Sequence, residues 1–340
     1  MTATDDQDAL RWLRPIRNGN SRAELLRKRH VIRRAVRGWL DAEGFIEIDA
    51  PLLVRGTTPD AAIESFAVGD RYLVTSTEFQ IKRMIAGGFE RVYSLTQNFR
   101  LGDIGSLNNP EFTMLEWARA GADLEVIERD VEKFVATAAA AVGISDSLRF
   151  QNRTIDLRSP WNRLTVKEAV SAVASETLHD FELSSLQSAV RHCEIPVSET
   201  GWNDVGFLFS VLIAHVQGSL GHDRPVFLRD WPSFQASSAP SRTHQDVADR
   251  SELIIGGLEI ADGFPSLTDA GRQREAFAAQ QARRTSEGLS EVGIDERYIE
   301  ALQSGLPEGA GMALGFDRLV MVLTNQTEIL PVLAFGWGEL

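Results

Sequence analysis

Apolar residues recur at helical spacing over residues 23–42, where Leu25, Ile32, Val36 and Leu40 fall near one face. Gly44 follows as a stop. The period then shortens. Residues 45–48 read as a short strand ending before Pro51, residues 72–75 as a second strand, and residues 78–86 as a short helix. Residues 91–99 and 112–119 read as two long strands, joined by a Gly- and Asn-rich loop over 101–110. A helix is predicted over about 124–142, including the alanine-rich stretch 136–141. Residues 144–225 have mixed helical character and read as a helical insertion. The sheet resumes at 226–229, and residues 251–260 form a tight hairpin about Gly256 and Gly257. Helices are predicted at about 269–287 and 295–304, then a strand over 311–314 and a helix over 316–323. Residues 1–20 read as a loosely ordered arm, so 21–340 is expected to form one α+β domain.

At 340 residues and 43% hydrophobic composition the chain has enough apolar surface for a large core. Its formal net charge of −13 argues against long-range attraction to nucleic acid. The local exception is a basic run through Arg11, Arg14, Arg17, Arg22, Arg27, Lys28, Arg29, Arg33, Arg34 and Arg37. It reads either as a solvated helix face and tail or as a docking surface for an acidic partner. Cys193 is the only cysteine, which excludes an intrachain disulfide and a cysteine-built metal site. Met1 to Asp8 is polar and acidic, not a signal peptide, and no apolar run approaches membrane-spanning length. A cytoplasmic protein with no membrane partner is expected.

Three places carry candidate chemistry. In the hairpin, a turn at Gly256-Gly257 sets Ile254 opposite Glu259, so Glu252 and Glu259 become diagonal neighbours on one face. Carboxylates ~7–8 Å apart at the backbone can share Mg²⁺, or one of them can simply face solvent. Arg100 ends a strand, where a fixed guanidinium can clamp a phosphate. On the return strand Phe112, Met114, Glu116 and Ala118 share a face, and Phe112 is placed to stack on a purine or to join the core. Gly311 and Gly315 allow close approach to a strand. Arg318 sits in the first turn of a helix, where the helix dipole favours an arriving anion; its plainer reading is an ion pair.

The order and spacing of these pieces resemble class II aminoacyl-tRNA synthetases. Gly44, Phe45, Glu47 and Pro51 resemble motif 1. Phe99-Arg100 through Asn109-Pro110-Glu111-Phe112 to Trp117 resembles motif 2, and Gly311 to Arg318 resembles motif 3. Thr75, Ser76, Glu78, Lys82 and Arg83, with Glu259 to Phe264, are similar to the lysyl-tRNA synthetase branch, and most of all to its shortened relative, the ligase that attaches lysine or β-lysine to elongation factor P.

The resemblance implies an antiparallel sheet of six or seven strands flanked by helices, a homodimer, and ATP and Mg²⁺ as cofactors. It implies that Arg100 binds the α-phosphate, Phe112 stacks on adenine with Asn109 near the adenine edge, and Arg318 covers the other adenine face and the γ-phosphate. Asp103, Asn108 and Gly315 complete the ATP site, and Glu252 and Glu259 hold Mg²⁺. The main catalytic residues are then Arg100, Glu259 and Arg318. The amino-acid site takes Ser76, Glu78, Glu116, Ala118, Asp262, Phe264, Ser266 and Gly311, with Glu78 on the α-amine.

The sequence departs from the pattern at several points: Gly102 replaces the motif 2 Glu, Asn108 a His, Ala118 a Tyr, Asp262 an Asn and Ser266 a Glu. The missing Tyr and Glu are the family's receivers of the lysine ammonium. Asp262, four residues from the lost Glu, leaves room for an amine held in a shifted pose. Motif 1 begins within the first fifty residues, which leaves no room for an anticodon-binding domain and argues against tRNA charging. Three outcomes stay open: aminoacyl transfer to a protein acceptor of the elongation factor P kind, transfer of a non-lysine amino acid to a carrier protein or small molecule, and a non-catalytic regulatory paralogue.

Overall fold

The computed structural model describes residues 21–235 and 246–339. The arm expected over residues 1–20, with Arg11, Arg14 and Arg17, lies outside the described residues. Helix α1 (Arg22–Ala42) opens on Ser21, whose hydroxyl and Glu24 cap one another reciprocally. Its buried stripe is Leu25, Ile32, Val36 and Leu40, the face that the spacing predicts. After β1 (Ile46–Glu47), the short strands β2 (Leu53–Val54), β3 (Ala67–Val68) and β4 (Arg71–Leu73) form a separate small sheet. Helix α2 (Glu78–Ala86) leads into the long antiparallel pair β5 (Arg91–Phe99) and β6 (Glu111–Ala120).

Helix α3 (Leu124–Ala141) packs along α1. Trp39 and Trp117 both meet Phe134, at 5.8 and 5.0 Å between ring centroids. Asp123 starts α3 by accepting from the Val126 amide at 2.9 Å. Asp123→Ala is expected to cost about 1 kcal/mol, the usual worth of such a cap, read as a lower urea midpoint at unchanged slope.

The segment expected to be a helical insertion is mixed. It contains the hairpin β7 (Ser147–Phe150) and β8 (Arg153–Asp156) and the strand β9 (Asn162–Thr165) before helices α4 (Val166–Ala174), α5 (Leu183–His192) and α6 (Val205–Ser219). The three helices close a second apolar cluster, with Val170, Leu186, Phe209 and Leu212 packed on Leu228 and Trp231 of β10 (Val226–Pro232). The strands β11 (Val247–Ile255) and β12 (Leu258–Pro265), helices α7 (Ala270–Ser286) and α8 (Glu296–Gln303), strand β13 (Gly309–Gly315) and helix α9 (Phe316–Leu323) complete the chain.

The main sheet has eight strands in the order β1-β5-β6-β13-β12-β11-β10-β9, a correction to the expected six or seven. Nor is it wholly antiparallel. Both edge pairs, β1 with β5 and β9 with β10, run parallel. Each of these pairs is separated in sequence by a long crossover, the length that parallel pairing requires. The extra edge strands have two and four residues, too short for a period-two pattern to reveal.

Gly256 and Gly257 both have positive φ, as a two-residue hairpin turn demands. Ile254 pairs with Glu259, as the turn predicts. A bulge then enters, so that Leu253 faces Ala261 and Glu252 faces Asp262.

One polar knot ties the insertion to the sheet. Glu128 of α3 is fully buried and takes Arg163 Nε at 2.7 Å, Arg229 Nε at 2.6 Å and Ser251 Oγ at 2.8 Å. These three donors belong to β9, β10 and β11 respectively.

Candidate active site

Alternation along the central strands sorts the side chains between two faces. Leu115, Leu314, Ala261 and Leu253 turn to the main core. The other face carries a row running Ser94, Glu116, Ala313, Asp262 and Glu252 across five neighbouring strands. The next row on the same face is Val92, Ala118, Gly311 and Phe264. A Cβ added at Gly311 would meet the Ala118 Cβ at 3.2 Å and the Trp117 carbonyl at 2.9 Å, so this position requires glycine.

Two adjoining cavities lie on this face, one of about 160 Å³ and one of about 410 Å³. The smaller is lined by Ser76, Glu78, Glu116, Ala118, Asp262, Phe264 and Gly311 of the expected amino-acid site. The larger is lined by Asp103, Asn108, Asn109, Phe112, Glu259, Gly315 and Arg318 of the expected ATP site. Arg100 and Asp262 border both. Ser266 lines neither; it continues β12, its amide donating to the Gly309 carbonyl at 2.8 Å. Glu252 is buried and lines neither cavity; it is paired across the ladder with Asp262, which borders both.

In the smaller cavity, Glu116 is buried and accepts from Ser76 Oγ at 2.5 Å and from the amide and hydroxyl of Thr77. Burial pushes its carboxyl above the usual range, against the pull of those donors. Lys82 is buried too, 2.5 Å from Glu78 Oε1 and 5.1 Å from the centre of the Phe264 ring. Burial opposes its charge, but Glu78 and then Tyr298 outweigh that and hold its ammonium above the ordinary lysine value.

The larger cavity is organised by arginines. Arg100 lies over the Phe112 ring at 5.2 Å, and its Nε is buried without a hydrogen-bond partner. Among the described residues it has no ion-pair partner. Arg318 donates to the Glu259 carbonyl at 2.9 Å and to Asn108 Oδ1 at 2.8 Å, with a Glu259 carboxylate oxygen 3.8 Å away. Asn109 is tied into the chain, accepting from the Trp337 amide at 2.9 Å and donating to the Glu111 carbonyl at 2.6 Å. Behind Arg318, Asp317 is buried, accepts from the Thr113 amide and pairs with Arg29 at 2.5 Å. Much of the basic character of α1 is thus spent inside the chain: Arg22 pairs with Glu339, Arg29 with Asp317 and Arg37 with Glu47.

Arg250 is the site residue that sequence reasoning missed. Its Nε donates to Asp262 at 2.9 Å, an Nη donates to Glu252 at 2.6 Å, and the guanidinium lies 4.5 Å from the Trp231 ring centre. Its signal was available, since it stands two residues before Glu252 and therefore on the same face. Glu252 also accepts from Gln217 at 2.5 Å. Burial raises the Glu252 carboxyl well above the usual range; Arg250 pulls it back, while Glu259 and Asp262 push it further up.

Among the described residues no group of three or more His, Cys, Asp or Glu side chains gathers around a metal-sized site. The diagonal pair Glu252 and Glu259 fits a different arrangement. A Mg²⁺ that draws most of its ligands from water and substrate phosphates needs only one or two carboxylates. Glu252, Glu259 and Asp262 face only Arg250 and, at 3.8 Å from Glu259, Arg318 among the described residues, and their mutual repulsion is the kind of excess that such a cation relieves.

The sequence model for tRNA synthetases class II (D, K and N) matches residues 7–337. The chain is 33% identical to a lysine–tRNA ligase of Trichormus variabilis over 92% of its own length and 56% of that protein's. It is 33% identical to one of Legionella pneumophila, over 96% and 66%, and 33% identical to one of Chromohalobacter salexigens, over 98% and 68%. The chain thus spans between about half and two thirds of the length of these relatives. No helix among the described residues is long and apolar enough to cross a membrane. Matched over almost its whole length, the chain belongs to the class II tRNA synthetase family of the D, K and N type.

Proposed function

We propose that this protein is a ligase that uses ATP to activate an amino acid as its adenylate and passes the aminoacyl group to a protein acceptor. The observation that carries the reading is Arg100, a guanidinium with a buried unpartnered Nε and, among the described residues, no partner carboxylate, standing where the two cavities meet. A cation left unpaired at such a junction is built for an anion that arrives. In the reaction, an oxygen of the substrate carboxylate attacks the ATP α-phosphorus. The bond from that phosphorus to the bridging oxygen breaks, and pyrophosphate leaves with the electron pair.

Arg100 spans the attacking carboxylate and the α-phosphate and meets the charge that grows there. Phe112 supports the adenine, with Asn109 near its edge. Arg318, held in place by Asn108 and the Glu259 carbonyl, faces the adenine from the other side and reaches the γ-phosphate. Asp103 and Gly315 complete that wall. Glu78 takes the α-amine, and Ser76 and Thr77 fix Glu116 beside it. Glu252 and Glu259 would hold Mg²⁺, which supplies charge neutralisation for the phosphates. No enzyme nucleophile is required, because positioning and electrostatics carry the step.

Homodimerisation belongs to the same reading, as does the division into an N-terminal arm and a catalytic domain with an insertion. The acidic net charge favours a protein acceptor over tRNA. A carrier protein or small molecule as acceptor is the second reading, favoured by the small residues Ala118 and Gly311 that line the amino-acid cavity. Amino-acid-dependent ATP–pyrophosphate exchange tests activation. Exchange is expected with Mg²⁺ and is expected to vanish in EDTA. Labelled amino acid should then enter a nuclease-resistant, protease-sensitive product in extracts. Absence of exchange with every amino acid tried would overturn the reading.

A further inference from the structure

We infer that the segment 329–339 is a positioning element of the ATP site: it clasps the loop 101–110 from outside, so that Trp337 and Arg22 set nucleotide affinity without touching the nucleotide. The inference rests on the adenylation reading, which assigns the larger cavity to ATP. The loop supplies Asp103, Asn108 and Asn109 to that cavity's wall. It joins β5 to β6 and contains no helix or strand, so its shape depends on what holds it.

Beyond its own turns and the strands it joins, the stretch 102–109 is hydrogen-bonded among the described residues through Ser106, Asn108 and Asn109. Asn108 accepts from Arg318, inside the site. The other two are held by one segment. The Ile329 amide donates to the Ser106 carbonyl at 2.7 Å, and the Trp337 amide donates to Asn109 Oδ1 at 2.9 Å. Asn109 passes the restraint on, since its side-chain amide donates to the Glu111 carbonyl at 2.6 Å, where β6 begins. The Trp337 ring lies 6.0 Å from that of Phe66. Close by in sequence, the Glu64 carbonyl accepts from the Leu101 amide at 2.8 Å, at the start of the loop.

The clasp is itself anchored. Arg22, the first residue of α1, is buried and spends its guanidinium on this segment. Its Nε donates to the Leu333 carbonyl at 2.8 Å and its two Nη groups to Glu339 at 2.8 and 2.6 Å. Glu339 also accepts from the Gly336 amide at 2.8 Å, and its own amide donates to the Gly336 carbonyl at 2.9 Å. Those bonds close the turn Trp337–Glu339, from which the Trp337 amide reaches Asn109. Contacts thus run from Arg22 through Glu339, Trp337 and Asn109 into the loop that holds Arg318, although neither Arg22 nor Trp337 lines either cavity. A loose loop loses conformational freedom when its ligand binds, and affinity falls accordingly; a loop held in advance avoids that loss.

The test is calorimetric titration of ATP with Mg²⁺ into the full chain. Trp337 opens its turn, a position that tolerates proline, and proline has no amide hydrogen. Trp337→Pro therefore removes the clasp, and Trp337→Ala, which keeps the amide, is its control. The Kd for ATP is expected to be about 3–10-fold higher in Trp337→Pro than in Trp337→Ala, the usual worth of one hydrogen bond. In pyrophosphate exchange the KM for ATP should rise with it while the KM for the amino acid holds, a split that a general loss of structure would not produce. Glu339→Gln keeps the shape of the turn and weakens the Arg22 pair. It should raise the Kd in the same direction, and it decides the matter if Trp337→Pro does not fold. Equal Kd values in the proline and alanine variants, an unchanged Kd in Glu339→Gln where the proline variant does not fold, or parallel rises in both KM values would overturn the inference and leave the adenylation reading standing. A parent protein that binds no ATP would overturn both.

Discussion

Arg100→Ala is expected to lower kcat/KM for pyrophosphate exchange by about 10²–10³-fold, the usual loss when one preorganised donor to a developing charge is removed. Two features make this side chain a sharp test. It has no ion pair among the described residues, so its removal strands no buried carboxylate, and the thermal midpoint should stay within about 2 °C. It also lies over Phe112, so ATP affinity should fall less than turnover does. Arg100→Lys restores the charge but not the planar two-pronged geometry, and should recover only a small part of the rate. A variant within tenfold of the parent would remove Arg100 from the reaction centre.

Glu128→Ala removes the shared partner of two arginines and should cost about 3 kcal/mol of stability, the low end for a broken buried pair, because Arg163 keeps Glu132 at 3.3 Å and Arg229 keeps Glu125 at 3.8 Å. Both arginines are also about a quarter exposed, which lowers the cost in the same direction. The same carboxylate joins α3 to β9, β10 and β11, so the loss should concentrate in the insertion and the sheet edge beneath it. Amide exchange should accelerate in β9 and α4 before it does so in β5 and β6. Uniform acceleration, or a change below about 1 kcal/mol, would show that the knot is not what fastens the insertion.

The parts of the fold legible in the sequence are those with a strong period and a clear boundary. The expected bounds of 78–86, 91–99 and 316–323 are those of α2, β5 and α9. Each has several matching periodic positions, and Gly87 and Gly315 mark two of the limits. The hairpin turn was legible because two adjacent glycines leave little else to form there. The small sheet of β2 and β3 and the edge strand β9 were not, because two to four residues cannot display alternation. The site divides along the same line. Glu252 and Glu259 could be placed on one face from the turn alone. Asp262 opposite Glu252 depended on a bulge that no residue between 253 and 262 announces. Arg250 was overlooked for a chemical reason rather than a geometric one, since attention to carboxylates leaves their counter-ion unconsidered. Ser266 shows the converse, a position singled out by pattern that borders neither cavity.

The bulge in β12 has a consequence in parity. Glu259 and Asp262 are three residues apart, and on a regular strand an odd separation sends two side chains to opposite faces. The extra residue lets Ile260 and Ala261 both turn to the core, so both carboxylates emerge on the reaction side. One carboxylate thus reaches the phosphate side and the other the amino-acid side, without a second strand to carry it. Deleting Ile260 would restore even parity and leave every backbone hydrogen bond of the ladder available. Both carboxylates would stay on the reaction face, one residue step closer together; straightening the strand without removing a residue would instead turn either Glu259 or Asp262 into the hydrophobic layer. The bulge thus sets the spacing of the two chemical duties along the strand while keeping both on one face.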